Sequence, residues 1–599
     1  MQQRRAEEAS FHTHDGVELF YRYWPSVSSP SRGAVILFHR GHEHSGRIGH
    51  LADELDLPDF AVFAWDARGH GRSPGSRGFS PSLAASIRDV GSFVRHVTAA
   101  HGIAEEDVAV VAQSVGAVLV AAWAHDYAPR IRCMVLASPA FRVKLYVPFA
   151  RPGLRLQQRL RGDFFVNSYV KPRLLTHDPE RIASYHADPL ISRPIASHIL
   201  LALYETAERV VEDARAITVP TQLLISGADW VVHHGPQHHF YERLGTPVKE
   251  RHVLSGFFHD TLGEKDRHVA VAHARRFILE RFAGAAPNRP VLKDADRAGY
   301  TRDEADALAS PLPALSPRGL YWRLTRLGLR VGGLLSEGIA LGHRTGFDSG
   351  STLDYVYRNV PAGTGAVGRL IDRSYLNSIG WRGIRQRKLH VEELLRVGVD
   401  RLRGKDMPVR IMDIAAGHGR YVLEALDGSG ADGRPDAILL RDYSEINVEA
   451  GRRLIAEKGL GDIARFVKGD AFDRDDLAQV EPRPTLGVVS GLYELFADNA
   501  MVRRSLDGLA AAIPLGGLLV YTNQPWHPQL EMIARTLTSH RQGQAWIMRR
   551  RTQAEMDELV AGAGFRKLEQ RADQWGIFTV SLAERQADAV TDAMAASPA

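Results

Sequence analysis

The sequence predicts an α/β protein made of two units, each a mostly parallel sheet with helices on both faces. Three observations lead there. At 599 residues the chain is too long for one hydrophobic core. Short apolar, β-branched runs alternate with helical stretches, at 34–38, 60–65, 108–113, 133–137 and 220–226, then at 409–413, 436–444, 464–468, 486–490 and 516–523. Between the two series, residues 284–318 are rich in Ala, Pro and charge and carry no sustained apolar period, which is a linker composition.

Composition excludes several classes. Hydrophobic and charged fractions of 44% and 24% are those of ordinary soluble globular chains. A net charge of +5 over this length announces no nucleic-acid binder. The single cysteine, Cys133, sits in an apolar strand and permits no disulfide framework. The charged N-terminus is followed by no apolar h-region, and no stretch approaches the ~20 apolar residues of a spanning helix. The expected location is cytoplasmic.

In the first half, polar–apolar alternation over 9–25 predicts paired antiparallel strands, and a helix over about 81–100 leads to the central stretch, Val108 to Val120. There an apolar run (VAVVAQ) stops at Ser114, and small and apolar residues continue at helical spacing. This is a buried strand feeding a helix through a sharp turn, with the Ser114 hydroxyl exposed above the sheet. Ala112 and Gly116 flank it as small residues that let strand and helix approach. The strand at 220–226 runs into Asp229, and a last strand at 251–254 precedes His259. Ser114, Asp229 and His259, in that chain order, supply a nucleophile, an orienting acid and a general base. The oxyanion needs two donors, assigned to the backbone N–H groups of Val115 and Arg40. Residues 143–216 break the strand–helix rhythm and are read as a cap. Its Leu145, Tyr146, Phe149, Leu154, Phe164, Phe165 and Tyr169 suit an acyl chain. The clusters His39/His42/His44 and His233/His234/His238/His239 lack a carboxylate-framed zinc spacing, so no metal is expected.

The segments His39 to Arg47 (HRGHEHSGR), Asp66 to Ser73 (DARGHGRS) and Gln113 to Gly116 (QSVG) resemble the monoacylglycerol lipase and lysophospholipase branch of the α/β-hydrolases. That branch carries HGxxEHSxR, DxRGHGxS and GHSMGG. Arg40 and His42 stand where it has glycine, and Gln113-Ser114-Val115 where it has His-Ser-Met. The resemblance covers about residues 10–283. It implies hydrolysis of a carboxylic ester, a monoacyl lipid first, through an acyl-Ser114 intermediate.

After the linker composition, Gly319 to Leu335 places apolar residues at helical spacing with Arg323, Arg326 and Arg330 between them. A basic amphipathic helix of this kind suits peripheral contact with a membrane surface, or packing between two domains. Gly328, Gly332 and Gly333 weaken it as an isolated helix and favour packing.

The second half has its own centre at Val409 to Val422 (VRIMDIAAGHGRYV). A strand ends in Asp413, and Gly417 and Gly419 open a helix where backbone must approach a ligand. One strand–helix–strand unit later Asp442 ends a strand, suited to bridging two ribose hydroxyls. Asp470 follows a third strand, where an adenine amino group donates. Asp413, Ala415, Gly417, Gly419, Asp442 and Asp470 together resemble class I S-adenosylmethionine-dependent methyltransferases (DxAxGxG, ribose acid, GDA). Val422 in place of Gly or Ala argues against a dinucleotide site. The cofactor implied is S-adenosyl-L-methionine. In this fold an N-terminal extension, here 345–400 with Tyr357 and Trp381, lids the cofactor and lines the acceptor site. Asn523 to Trp526 is placed near the same pocket. Glu494 or Tyr493 is the candidate base for methyl transfer.

The whole chain resembles bacterial fusions of the two families. The expected organisation is an N-terminal α/β-hydrolase fold with a helical cap (1–283, cap 143–216), a linker and amphipathic helix (284–344), a C-terminal Rossmann-like class I methyltransferase fold (345–585) and a disordered tail (586–599). The rival reading is an acyl-binding sensor with a cofactor-binding half, or a protein in which only the methyltransferase half works. The intact Ser–Asp–His order speaks against the sensor.

Overall fold

Two units, Met1–Pro290 and Val291–Ala599, make up the computed structural model, which describes residues 4–144, 146, 149–168, 170–284, 290–426 and 434–586. In the first unit, β1 (Glu7–His12) and β2 (Glu18–Trp24) form an antiparallel entry. β3 (Gly33–Phe38), β4 (Phe60–Trp65), β5 (Val108–Gln113), β6 (Cys133–Ala137), β9 (Thr221–Ser226) and β10 (Lys249–Leu254) follow, and the sheet order is β1-β2-β4-β3-β5-β6-β9-β10. From β4 to β10 every pairing is parallel. β3 to β6 are buried from end to end, which is why they read as continuous apolar runs rather than alternating ones. Cys133 lies in this core, and burial pushes its thiol up to about 12, which makes it an inert packing residue.

The cap region holds the helices Ala150–Arg161, Pro179–Ala187 and Ser197–Glu212. It also holds a two-stranded ribbon, β7 (Phe165–Asn167) with β8 (Pro194–Ala196), where the sequence reading expected no strand. Strands of three residues carry too little alternation to be read. Of the apolar cap residues expected to line an acyl site, Leu145 and Tyr169 lie outside the described residues. Tyr146, Phe149 and Phe165 are at least half exposed and enclose nothing. The helix Ala150–Arg161, which carries Leu154, buries none of its residues.

The second unit is a seven-stranded sheet. β11 (Arg410–Asp413), β12 (Ala437–Asp442), β13 (Ala464–Lys468), β14 (Leu486–Val489) and β15 (Leu518–Asn523) are parallel. β16 (Phe565–Ala572) and β17 (Thr579–Arg585) close one edge antiparallel, in the order β13-β12-β11-β14-β15-β17-β16. The reversal of strand order beside β11 opens a crevice at the carboxyl ends of β11, β12 and β14, where ligands bind in open α/β sheets. Two apolar clusters cover the two sheet faces, and a third joins the helices that precede β11 to Trp546, Met548 and Phe578.

The linker composition does not make a linker after residue 290. The Leu292 amide donates to Glu558, Asp296 accepts from the Asn499 amide at 2.8 Å, and Glu304 pairs with Arg550 at 2.5 Å. The helix Tyr300–Ala309 follows. Polar contacts fix this stretch, and polar contacts leave no apolar period in the sequence. The amphipathic helix, Pro317–Gly333, belongs to the same unit. It packs on the helices Glu337–Thr345 and Leu530–Thr536 and leaves Leu320, Tyr321, Leu324, Leu327 and Val331 exposed. No helix among the described residues is long and apolar enough to cross a membrane. The tail from 587 onward lies outside the described residues.

Candidate active sites

In the first unit, β5 ends at Gln113 and the next helix, Val115–Tyr127, begins immediately. Ser114 makes the turn between them at φ 55°, ψ −115°, a strained backbone for a residue with a Cβ. The turn is possible because Gly116 has no side chain: a Cβ there would lie 2.4 Å from the carbonyl oxygen of His39. The Ser114 hydroxyl lies 2.7 Å from His259 Nε2, and His259 Nδ1 lies 2.8 Å from Asp229 Oδ2. The other Asp229 oxygen accepts the amides of Val231 and Val232. Burial works to raise the Asp229 carboxyl, but the His259 ring and the two amides outweigh it and hold it below its ordinary value. An ionised Asp229 fixes His259 with its proton on Nδ1, leaving Nε2 free to take the Ser114 proton.

Of the expected oxyanion donors, Val115 opens the helix after Ser114 and Arg40 lies in the turn that packs on this elbow, and neither amide is spent on another hydrogen bond among the described residues. His39 holds that turn. Its Nδ1 donates to the Arg40 carbonyl at 2.7 Å and its Nε2 accepts from the Ala67 amide at 3.1 Å. The Arg40 side chain, which replaces a glycine, does not fill the turn. It runs into a buried ion cluster, 2.8 Å from Glu43 and 4.0 Å from Asp260, with its guanidinium over the Tyr185 ring. Arg181, from the cap, also binds Asp260 at 2.6 Å, and Gln113 donates to the other Asp260 oxygen at 2.9 Å. Gln113 therefore ties the elbow to the loop that carries His259. An apolar recess of about 80 Å³ lies beside the elbow, between Trp65, Leu83, Val115, Leu119 and Ile195.

In the second unit, Gly417 and Gly419 turn with φ of 58° and 77°. A Cβ on Gly419 would lie 2.4 Å from Leu440 Cδ1 and would have to displace it, in addition to straining the left-handed backbone, so both favour glycine here. Asp442, at the end of β12, accepts from the Gly417 amide at 2.9 Å and from Ser444 and Asn447. Asp413, at the end of β11, accepts the Ala415 amide at 3.1 Å. Complete burial pushes its carboxyl up to about 7, helped by the nearby Asp442 charge, while the Tyr421 hydroxyl and the Ala415 amide pull the other way. Asp470 is exposed. Its carboxylate accepts the Phe472 amide, and no contact among the described residues joins it to the glycine turn. The residues around the turn suit S-adenosylmethionine: a glycine cradle, a carboxylate at a strand end for ribose hydroxyls, and a buried acid beneath. Asp413, Ala415, Gly417, Gly419 and Asp442 would hold it. The helix Gly350–Arg358 roofs the cleft, pinned by Asp354 to Arg420 at 2.6 Å. The space left beneath this helix, between Tyr357, Ala415, Gly417 and His418, is about 30 Å³.

A raised carboxyl pKa has a defined effect on stability. Between its ordinary value of 3.8 and about 7, folded Asp413 keeps a proton that the unfolded chain has lost. Stability therefore falls as pH rises through that window and levels off above it. Asp413→Asn, which keeps the acceptor for Ala415, removes this component. In urea unfolding at pH 5 and pH 8, the wild type is expected to lose more stability than the variant over this interval, by an amount on the order of a few kcal/mol. Identical pH profiles would contradict the assignment.

The sequence reading missed Asp354, His418 and Arg420 in the cleft, and Arg387 and His527 in the larger cavity beside it, while Gln524, from the stretch Asn523 to Trp526 expected near this pocket, does line the cavity. His418 and Arg420 stood within and beside the glycine motif. The rest come from distant segments with no local signal. Tyr357 lines the cleft and Trp381 the cavity. Of the two base candidates, Glu494 borders the cavity. Tyr493 does not: its hydroxyl donates to Ser505 at 2.9 Å inside an apolar cluster.

Comparison with known proteins finds two matched regions in the chain. Residues 274–585, more than half of the chain, match the family model described as "Putative methyltransferase". Residues 29–266 match the model described as "Serine aminopeptidase, S33". Along 97% of the chain and 98% of its own length, "Uncharacterized protein YnbC" of Escherichia coli (strain K12) is 56% identical. A monoacylglycerol lipase of Mycolicibacterium smegmatis is 27% identical over 46% of this chain and 98% of its own. The crystal structure of Paleococcus ferrophilus monoacylglycerol lipase overlays 46% of this chain and 99% of that one, at 24% identity and a TM-score of 0.39.

Proposed function

Because the chain belongs to the family of fused hydrolase–methyltransferase proteins, with an ester hydrolase as its N-terminal unit, we propose that this unit cleaves a monoacyl lipid and that the C-terminal unit methylates with S-adenosylmethionine. The observation that carries the first half is the continuous hydrogen-bonded line from Ser114 through His259 to Asp229. His259 takes the Ser114 proton as the hydroxyl attacks the ester carbonyl, and returns it to the departing alcohol. The amides of Val115 and Arg40 receive the charge on the carbonyl oxygen. Water, activated by the same His259, then releases the acid from Ser114. The recess beside the elbow suits the first carbons of an acyl chain. The monoacylglycerol lipase of Mycolicibacterium smegmatis supports the substrate class.

For the second half, S-adenosylmethionine supplies an electrophilic methyl carbon when bound. Asp442 holds the ribose end and the turn at Gly417 and Gly419 gives the backbone close access. Glu494 accepts the proton of the methylated group. Methyl transfer is a single displacement, so positioning carries much of its rate. The test of the lipid assignment is release of fatty acid from a purified monoacylglycerol by the full chain. Fatty acid is expected from the monoacyl lipid and much less from a triacylglycerol. Turnover of neither would count against it.

A further inference from the structure

The second unit encloses a cavity of about 400 Å³, in the size range of pockets that take a whole small organic molecule. Its walls are Leu329, Ile371, Trp381, Ile533, Trp546 and Phe578, with Trp381 and Trp546 stacked at 6.4 Å between ring centroids. It meets the cofactor cleft at one end of β14. Leu353 lines both spaces, Ser490 lines the cleft, and the next residue, Gly491, lines the cavity.

Polar groups interrupt this apolar wall, among them Asp348, Arg387, Glu494, Gln524 and His527. Glu494 is buried; one oxygen accepts from the Thr522 hydroxyl at 2.8 Å, while Oε2 is buried without a hydrogen-bond partner among the described residues. Thr522 in turn accepts the Gly491 amide at 2.9 Å, which fixes the carboxylate beside the junction. Arg387 stands 3.7 Å from Glu494, so the two charges offset each other. His527 Nδ1 accepts the Gln529 amide at 3.0 Å, which leaves Nε2–H as a donor. Burial pushes the His527 ring down to about 3, so it stays neutral and does not act as a base near pH 7. Asp348 also borders the cavity, but it is spent on Ser539 and on the His540 amide, each at 2.6 Å. Among the described residues, each carboxylate that borders the cavity thus has a basic side chain beside it, Arg387 for Glu494 and the His540 ring, 3.1 Å away, for Asp348, which disfavours a cationic guest.

We propose that this cavity seats the methyl acceptor, and that the acceptor is an uncharged, largely hydrocarbon or aromatic molecule presenting one hydroxyl to Glu494. The proposal rests on the methyltransferase reading of the second unit. Glu494 Oε2 takes the hydroxyl proton as the hydroxyl oxygen bonds to the methyl carbon of S-adenosylmethionine. The carbon–sulfur bond breaks with its electron pair on sulfur, giving a neutral thioether, a methyl ether and a protonated Glu494. His527 Nε2–H orients the acceptor oxygen.

The test uses the full chain and a neutral fluorescent probe, N-phenyl-1-naphthylamine, with S-adenosylmethionine binding followed in parallel by calorimetry. Gly328 and Gly332 border the cavity from one helix, where a Cβ meets nothing within 4 Å or only ordinary contacts. Gly328→Leu and Gly332→Leu therefore add bulk at its border without a Cβ striking backbone. Each is expected to weaken probe binding by about tenfold or more while leaving S-adenosylmethionine affinity unchanged. Saturating S-adenosylmethionine should leave the probe bound. 2-Naphthol should displace the probe, and the cationic 1-naphthylmethylamine should not. Unchanged probe affinity in both variants, joint loss of both ligands, or displacement of the probe by S-adenosylmethionine would overturn the proposal. So would preference for the cation. A wild-type protein that binds the probe but no S-adenosylmethionine would instead overturn the methyltransferase reading itself, and the acceptor site with it.

Discussion

Replacing Ser114 with alanine is expected to lower kcat for monoacylglycerol hydrolysis by about 10⁴-fold or more, with little change in KM. The hydroxyl is the only group that can form the acyl intermediate, while the donors and the recess that bind the ester remain. Ser114 occupies a strained turn, and alanine has the same Cβ, so the fold is expected to hold. His259 and Asp229 stay hydrogen-bonded to each other in the variant. Residual turnover near the wild-type level would place the chemistry elsewhere.

The second large effect concerns Asp442. Asp442→Ala is expected to weaken S-adenosylmethionine binding by about 10- to 100-fold, since hydrogen bonds to a charged acceptor contribute about 1.5–3 kcal/mol each. The carboxylate also holds Gly417, Ser444 and Asn447, so the alanine variant mixes ligand contact with loop position. Asp442→Asn separates them. It keeps one acceptor oxygen for the loop, loses the charge, and is expected to fall between wild type and alanine in calorimetry. Equal affinity in all three proteins would remove Asp442 from the site.

What could be read in the sequence and what could not follows a physical line. The elbow at Ser114 was legible because a buried strand, a forced turn and a glycine at 116 are all local demands. The order of Ser114, Asp229 and His259 was legible because each follows a strand end. The fate of the Arg40 side chain was not. It depends on Glu43, on Asp260 far along the chain and on Arg181 from the cap. β16 and β17 were missed, and the charged residues of FRKLEQRA hide alternation at a sheet edge. The cavity of the second unit draws its wall from segments between 328 and 578, so nothing local announces it. Asp470 stands just past the end of a strand as its motif implies, exposed and accepting the Phe472 amide.

The central claim is that Ser114 is an activated nucleophile with an open oxyanion turn. Incubation of the full chain with a fluorophosphonate, followed by mass spectrometry of the digested adduct, tests it directly. One phosphonyl group on Ser114, absent in Ser114→Ala and strongly slowed in His259→Ala, is the result this account predicts. A folded protein that stays unlabelled, or one labelled at another serine, would contradict it.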